Sequence, residues 1–143
     1  MKKDADVPNI LKMDGVDYFS TGKDQLTITH VPLVLKANKH RANWAHTVVD
    51  SESNSMTLIC QSKGEGNRMH HHPDWDEVWV IYFGEWEIEF RDEVRIAKMG
   101  DIVFIERGRP HRIKAISDKA IRLAISRYDV DHVYQEDDYE PSV

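Results

Sequence analysis

The sequence contains a single cysteine, Cys60, and no apolar run of about 18 residues that could cross a membrane. One thiol excludes an intramolecular disulfide, and so excludes the disulfide-framed domains of secreted proteins. The N-terminus is polar and leads into no apolar stretch of signal-peptide length. These absences predict a cytoplasmic protein without a membrane segment. Cys60 itself is expected to pack as a small hydrophobic residue.

Basic charge is also scarce, because 19 Lys and Arg face 25 Asp and Glu, for a net charge of −6. The residues after Arg127 include six acidic side chains and no Lys or Arg, so the rest of the chain is neutral, 19 against 19. With no basic excess and no recognition-helix pattern, we expect no binding to nucleic acid. Residues 128–143 are interpreted as an acidic tail, either solvated or packed on a partner subunit.

A chain of 143 residues, 41% hydrophobic, has the size of one ordinary domain with its own core. We interpret residues 1–143 as a single domain with an irregular N-terminal arm at residues 1–25. Its metal-binding core is expected at about residues 56–127, followed by the acidic tail. Exposed sheet edges and long arms favour a homodimer.

Short β-rich runs recur at intervals of roughly 8–12 residues, the spacing typical of a sandwich or barrel. Turn residues separate the runs, and no long amphipathic helix with caps is present in the pattern. The sequence therefore predicts an all-β fold of about ten strands, at residues 26–29, 33–35, 46–49, 56–60, 77–83, 86–90, 94–96, 102–105, 112–116 and 120–126.

Two of these runs differ in their hydrophobic pattern. Residues 86–90 alternate between apolar and acidic side chains, as in a strand with one buried face. Residues 77–83 are apolar on both faces apart from Glu77, which predicts a strand covered on both sides. A lone buried carboxylate at the head of such a strand needs a partner.

That partner is predicted from the histidines. On an extended backbone alternate side chains share a face, so His70 and His72 project together while His71 points away. Glu77 supplies a third ligand, and His111 returns at the end of a later strand and turn as a fourth. Three imidazoles and a carboxylate suit one divalent transition metal: Fe(II), which we favour, or Mn(II), Ni(II), Co(II), Zn(II) or Cu(II). Four protein ligands leave two positions on a six-coordinate ion.

The same residues resemble the two motifs of the cupin superfamily. The first motif is matched in full by Gly64, His70, His72, Glu77 and Gly84. The second is matched by Gly100, Gly108 and His111, whereas Glu106 and Ala115 replace the family's Pro and Asn, which are not metal ligands. The resemblance implies a jelly-roll barrel, also called a double-stranded β-helix, with the metal held by the same four side chains.

Family membership does not name a reaction, because cupins include dioxygenases, decarboxylases, lyases, isomerases, epimerases and binding modules. We expect a metal-dependent enzyme that acts on a small, polar, oxygen-chelating and anionic substrate. An oxygenase is preferred over a redox-neutral isomerase or lyase, and a non-catalytic module for a sugar or small acid is the alternative.

Two further residues are candidates for substrate binding. Arg68 shares the face of His70 and could hold a substrate carboxylate, although an exposed arginine at the barrel rim is an equal reading. Trp79 lies in phase with Glu77 and is a candidate pocket wall.

Overall fold

The computed structural model describes residues 17–20, 25–127 and 133–134. In this part of the chain one helix accompanies eleven strands. The helix is α1 (Val31–Ala37), and the strands are β1 (Asp17–Ser20), β2 (Trp44–Asp50), β3 (Ser55–Ser62), β4 (His70–His71), β5 (Glu77–Phe83), β6 (Glu85–Phe90), β7 (Val94–Lys98), β8 (Ile102–Ile105), β9 (His111–Ala115), β10 (Lys119–Ser126) and β11 (Val133–Tyr134). The predicted all-β class is confirmed, and eight of the ten predicted strands are present.

The strands form two sheets whose inner faces enclose the main core. One sheet has the order β1-β2-β3-β10-β5-β8 and the other the order β11-β4-β9-β6-β7. Neighbouring strands are antiparallel, except that β1 and β2 are parallel. The core draws side chains from both sheets, among them Trp79, Trp86, Ile88, Ile105 and Ile113. This arrangement is the predicted double-stranded β-helix.

The alternation along β6 and β9 follows directly from the sequence. In β6 the buried residues Trp86, Ile88 and Phe90 alternate with glutamates, and β9 has the same period. The tight turn between β5 and β6 depends on Gly84, whose φ is +75°. A Cβ there would lie 2.3 Å from the Lys119 carbonyl oxygen, so only glycine fits.

The strands predicted at residues 26–29 and 33–35 are wrong. Residues 25–30 form no strand, and residues 33–35 lie within α1. Pro32 at the start of the segment is compatible with the first turn of a helix. Val31, Val34 and Leu35 then fall on one helical face and pack on a second core, formed by outward-facing side chains of β2, β3 and β10. The spacing of these apolar residues by three and four positions therefore outweighed the β propensity of the segment.

The prediction that β5 is covered on both sides is also wrong within this chain. Its inward residues Glu77, Trp79 and Ile81 are buried, but Val78 and Val80 on the other side are only half-buried. Tyr82 and Phe83 are exposed. The reason is positional, because α1 covers the outer face at β2 and β3 and does not reach β5.

The terminal segments are not entirely irregular. Asp17–Ser20, within the expected arm, pairs with β2, and Val133–Tyr134, within the expected tail, pairs with β4. The remainder of both segments, apart from Gln25, lies outside the described residues. Among the described residues, no helix is long and apolar enough to span a membrane.

Candidate metal centre

Four buried side chains converge where β4, β5 and β9 approach one another. β4 provides His70 and leads into His72, β5 begins with Glu77, and β9 begins with His111. His70 lies opposite His111 in paired strands, whereas Glu77 comes from the facing sheet. Their potential ligand atoms all lie within 4.8 Å of one another. The group could therefore bind one metal ion.

Backbone carbonyls fix the orientation of two of the imidazoles. His70 Nδ1 lies 2.7 Å from the Arg68 carbonyl oxygen, and His111 Nδ1 lies 2.7 Å from that of Arg109. When Nδ1 carries the proton and donates it to a carbonyl, Nε2 keeps its lone pair. Metal-binding histidines are commonly held in this way. Both rings thus present Nε2 as the ligand atom.

One buried nitrogen in the group has no hydrogen-bond partner. His72 Nε2 lies 3.1 Å from Glu77 Oε1, but His111 Nε2 is 3.7 Å from the same oxygen and makes no hydrogen bond. A buried polar atom without a partner is costly in a folded protein. A metal ion bound to Nε2 would satisfy it, so the residues present fit a metal.

The charge state of Glu77 also suits a metal. Burial by itself raises the pKa of this carboxyl, but the neighbouring imidazoles of His111 and His72 outweigh burial and hold the pKa well below its ordinary value. The carboxylate is therefore ionised, as metal coordination requires.

Aromatic rings surround the group. The Trp75 ring centroid lies 4.0 Å from that of His72, and the Trp79 centroid lies 5.7 Å from that of His111 in an edge-on arrangement. Both tryptophans are buried. An apolar surround limits access of water and strengthens electrostatic interactions within the site.

Comparison with known proteins agrees with this geometry. The sequence profile of the cupin domain family matches residues 57–130, which contain all four convergent side chains. The chain belongs to the cupin family. The uncharacterized protein YdbB of Bacillus subtilis (strain 168) is 30% identical to this cupin over 84 residues, or 58% of this chain and 74% of YdbB.

Solved structures share the fold of this cupin at low identity. A conserved double-stranded β-helix protein from Klebsiella pneumoniae has a TM-score of 0.66 and 16% identity, covering 79% of this chain and 94% of that one. The polyketide cyclase RemF from Streptomyces resistomycificus has a TM-score of 0.61 and 14% identity, covering 71% and 75%. At these identities the likeness concerns the fold alone.

The structure brings together the four predicted ligands and leaves His71 outside their group. Trp79 lies beside His111, as expected of a wall, but it belongs to the barrel core and is only 1% exposed. Arg68 is half-buried, and its carbonyl oxygen lies 2.7 Å from His70 Nδ1. Binding of substrate by Arg68 and Trp79 stays a prediction.

Sequence reasoning missed the role of Arg109. Besides its carbonyl bond to His111, its guanidinium lies 3.6 Å from the centroid of the Phe90 ring and pairs with Asp92 and Glu93 in the β6–β7 turn. The position of Arg109 in the sequence was the available signal. It lies two residues before His111, so its backbone carbonyl lies close to the imidazole ring.

Contacts between loops also join the two cupin motifs, and these too were missed. The Gly108 amide donates to the His72 carbonyl at 2.6 Å, and the Arg107 amide and guanidinium donate to the Asp76 carboxylate. Each contact links the loop before His111 to the segment that carries His72 and Glu77. The hint in the sequence was that an acidic residue, Asp76, and a basic residue, Arg107, each lie close to a predicted ligand.

A third omission is a buried arginine inside the barrel. Arg122 is buried on β10, donates to Gln61 Oε1 at 2.9 Å and lies 4.5 Å from the Trp86 ring. The signal was visible, because Arg122 is the one charge within the apolar run 120–125. The guanidinium also lies 5.7 Å from the centroid of the Trp79 ring, and Trp79 contacts His111, so one tryptophan connects this polar pair to the metal group.

Proposed function

We propose that this cupin is an enzyme that binds one divalent transition metal, Fe(II) in preference, through His70, His72, Glu77 and His111. Its substrate is proposed to be a small polar molecule that chelates the metal through oxygen atoms. The observation that supports the proposal most is the convergence of three imidazoles on a buried carboxylate, with His111 Nε2 left without a hydrogen bond.

The donor set supports a transition metal rather than Mg(II) or Ca(II), which prefer oxygen ligands. Fe(II) is favoured because histidine and carboxylate ligands with open positions are typical of non-haem iron oxygenases. Mn(II), Ni(II), Co(II), Zn(II) and Cu(II) are the alternatives. When bound, the ion would supply Lewis acidity or activation of dioxygen.

The chain's own groups prepare the site in three ways. The carbonyls of Arg68 and Arg109 orient two imidazoles, so that little reorganisation accompanies binding. Ionised Glu77 provides negative charge. Trp75 and Trp79 exclude water from one side of the group. These features support chemistry on a polar molecule within a low-dielectric site.

Arg68 is proposed to bind an anionic group of the substrate. Its carbonyl contact with His70 supports this proposal, because it holds the backbone of Arg68 beside the metal group. A guanidinium binds a carboxylate bidentately. Removing such a bond should weaken anion binding by about 1–3 kcal/mol, or roughly 5- to 150-fold.

The first experiment tests the metal. Protein purified without added metal is analysed for its elements and then loaded with Fe(II) under argon. We expect about one ion per chain, and loss of that ion in His111→Ala but not in His71→Ala. Protein that binds no transition metal under any loading condition would contradict the proposal.

The second experiment tests the substrate. Loaded protein is titrated with dicarboxylates and 2-oxo acids, with the metal's absorption spectrum as readout, and Arg68→Ala is compared with Arg112→Ala. Arg112 is exposed on β9 and paired with Glu89, so its loss should not affect binding. Equal affinities in both variants would place Arg68 outside the substrate site.

A third measurement separates the reaction classes. RemF shares this fold and is a polyketide cyclase, so an oxygen-independent reaction is the second candidate. Oxygen uptake coupled to loss of a bound acid would support the oxygenase. Turnover under argon would support an isomerase or lyase, and binding without turnover would support the non-catalytic module.

A further inference from the structure

A cavity of about 390 Å³ lies where the two sheets end beside each other, at β7 and β8. Among the described residues β7 pairs only with β6 and β8 only with β5, so no ladder joins the two edges. The lining residues belong to β6, β7 and β8 and to the loops beside them. This space between the sheets is here called the β7–β8 cavity.

The β7–β8 cavity adjoins the metal group but is a separate space. The described residues that line it include none of the four convergent side chains. Phe90 lines the cavity and lies opposite His111 in the paired strands β6 and β9. Arg109 also lines it, and its carbonyl holds the His111 ring. A ligand in the cavity would therefore not replace a metal ligand.

The lining combines an apolar floor with a charged mouth. Seven of its eleven residues are apolar and the other four are charged. Ile88, Phe90 and Ala97 are buried and form the floor, and Val103 is half-buried beside them. Cavities of about 300–1,000 Å³ with apolar walls and a few placed polar groups are typical of sites for small molecules. The composition favours a ligand with an apolar body and one charged end.

Arg95 is the charged residue that points into this space. It lies opposite Ile88 in the antiparallel pair of β6 and β7, and directly opposite side chains share a face of the sheet. Since Ile88 belongs to the core between the sheets, Arg95 also points inward. Its neighbours Val94 and Ile96 consequently point outward and are exposed. The alternation of β7 is thus the reverse of that in β6.

The charge of Arg95 is the least compensated in the cavity. Its guanidinium lies 3.6 Å from the Glu93 carboxylate, which lies closer, at 2.9 Å, to that of Arg109. Arg109 has two further carboxylates as partners. The remaining acidic residue of the lining, Asp101, accepts a hydrogen bond from the Lys98 amide in the β7–β8 turn. Arg95 therefore keeps donors for an incoming anion.

We propose that the β7–β8 cavity binds an aromatic carboxylic acid, with its ring on the floor beside Phe90 and its carboxylate on Arg95. At ~30 Å³ for each water-sized group, the volume holds a ligand of about a dozen non-hydrogen atoms. A guanidinium binds a carboxylate bidentately, and an aromatic ring packs favourably against phenylalanine. The inference does not depend on the metal or on the reaction.

The test titrates the ¹⁵N-labelled full chain with 3-phenylpropanoate, which has about the required number of atoms, and follows backbone amide shifts by two-dimensional NMR. Zn(II) is present to fill the metal group with a diamagnetic ion. We expect saturable shifts at Ile88, Phe90, Ala97 and Val103, with a Kd on the order of 1 mM for so small a ligand. The amide 3-phenylpropanamide has the same shape without the charge and should bind at least ~10-fold more weakly.

Arg95→Gln should raise the Kd of 3-phenylpropanoate by at least ~10-fold, because it removes the charged partner of the carboxylate. The Arg95 side chain is 69% exposed, so the far-ultraviolet circular dichroism should not change. Lys98→Gln is the matched control. Lys98 carries the same charge on the same strand but lies opposite the exposed Glu85, on the outward face. Its loss should leave the Kd unchanged.

Four results would overturn the proposal. The cavity amides might show no shift at ~20 mM ligand, well above the expected Kd, or the shifts might occur only around Glu77 and His111, as for a carboxylate bound to the metal. The acid and its amide might bind equally well. Finally, Arg95→Gln might bind as tightly as the parent or as Lys98→Gln; Arg95 would then serve only to protect an edge strand with an inward charge.

Discussion

Replacing each histidine of the 70–72 run and His111 by alanine tests the metal group most directly. His70, His72 and His111 are buried with their ligand atoms within 4.8 Å of one another, whereas His71 is half-buried and outside the group. Structural sites with four ligands bind Zn²⁺ with a free energy of about 10–16 kcal/mol, so each ligand contributes roughly 3 kcal/mol to the binding free energy. Each of the three variants should therefore bind metal at least ~100-fold more weakly.

The assay compares thermal unfolding of every variant with and without metal. A ligand at 100 times its Kd stabilises a protein by about 2.7 kcal/mol, which corresponds to roughly 5–10 °C in Tm for a domain of this size. The shift should nearly vanish in His70→Ala, His72→Ala and His111→Ala and persist in His71→Ala. For each variant, the Tm measured without metal is subtracted from the Tm measured with metal. This difference excludes the stability that the variant loses because the histidine side chain no longer packs.

The result that would refute the reasoning is specific. If His71→Ala abolished the metal-induced shift as completely as its neighbours do, the alternation assigned to residues 70–72 would be wrong. If all four variants kept the full shift, the metal would bind elsewhere. Elemental analysis of the same samples distinguishes a lost ion from a bound ion that no longer stabilises the fold.

Three further outcomes are expected. Truncation after Arg127 removes β11, which pairs with β4 at His70 and His71, so metal affinity measured by chelator competition should fall about 10-fold without being abolished; unchanged affinity would show that this pairing does not support the site. Gly84→Ala should lower the free energy of unfolding in urea by at least ~2 kcal/mol more than Gly100→Ala, because a Cβ at Gly84 clashes with the Lys119 carbonyl whereas Gly100 faces open space; equal losses would contradict the clash. Burial raises the pKa of the Cys60 thiol, opposed in part by the charge of Lys119, so it should react with a disulfide reagent at pH 8 only after unfolding; rapid reaction of the native protein would contradict its burial.

Much of the fold follows from local pattern alone. The alternation in residues 86–90 and the apolar run 77–83 locate β6 and β5 because strand geometry places alternate side chains on opposite faces. The pattern misleads at residues 33–35, where an apolar triplet is too short to distinguish a strand from one turn of a helix. Short strands such as β1 and β11 carry no pattern of their own, since their pairing is decided by the strand beside them.

The sequence by itself determined the four convergent side chains of this cupin and the phase that separates His71 from its neighbours. It could do so because ligand spacing on a strand is local, and because the two motifs fix where each strand begins. Only the tertiary structure decided that the carbonyls of Arg68 and Arg109 orient the imidazoles and that Arg107 pairs with Asp76. It also decided which side of β5 stays uncovered. These features depend on contacts between segments far apart in the chain, and such contacts leave no periodic signal in the sequence.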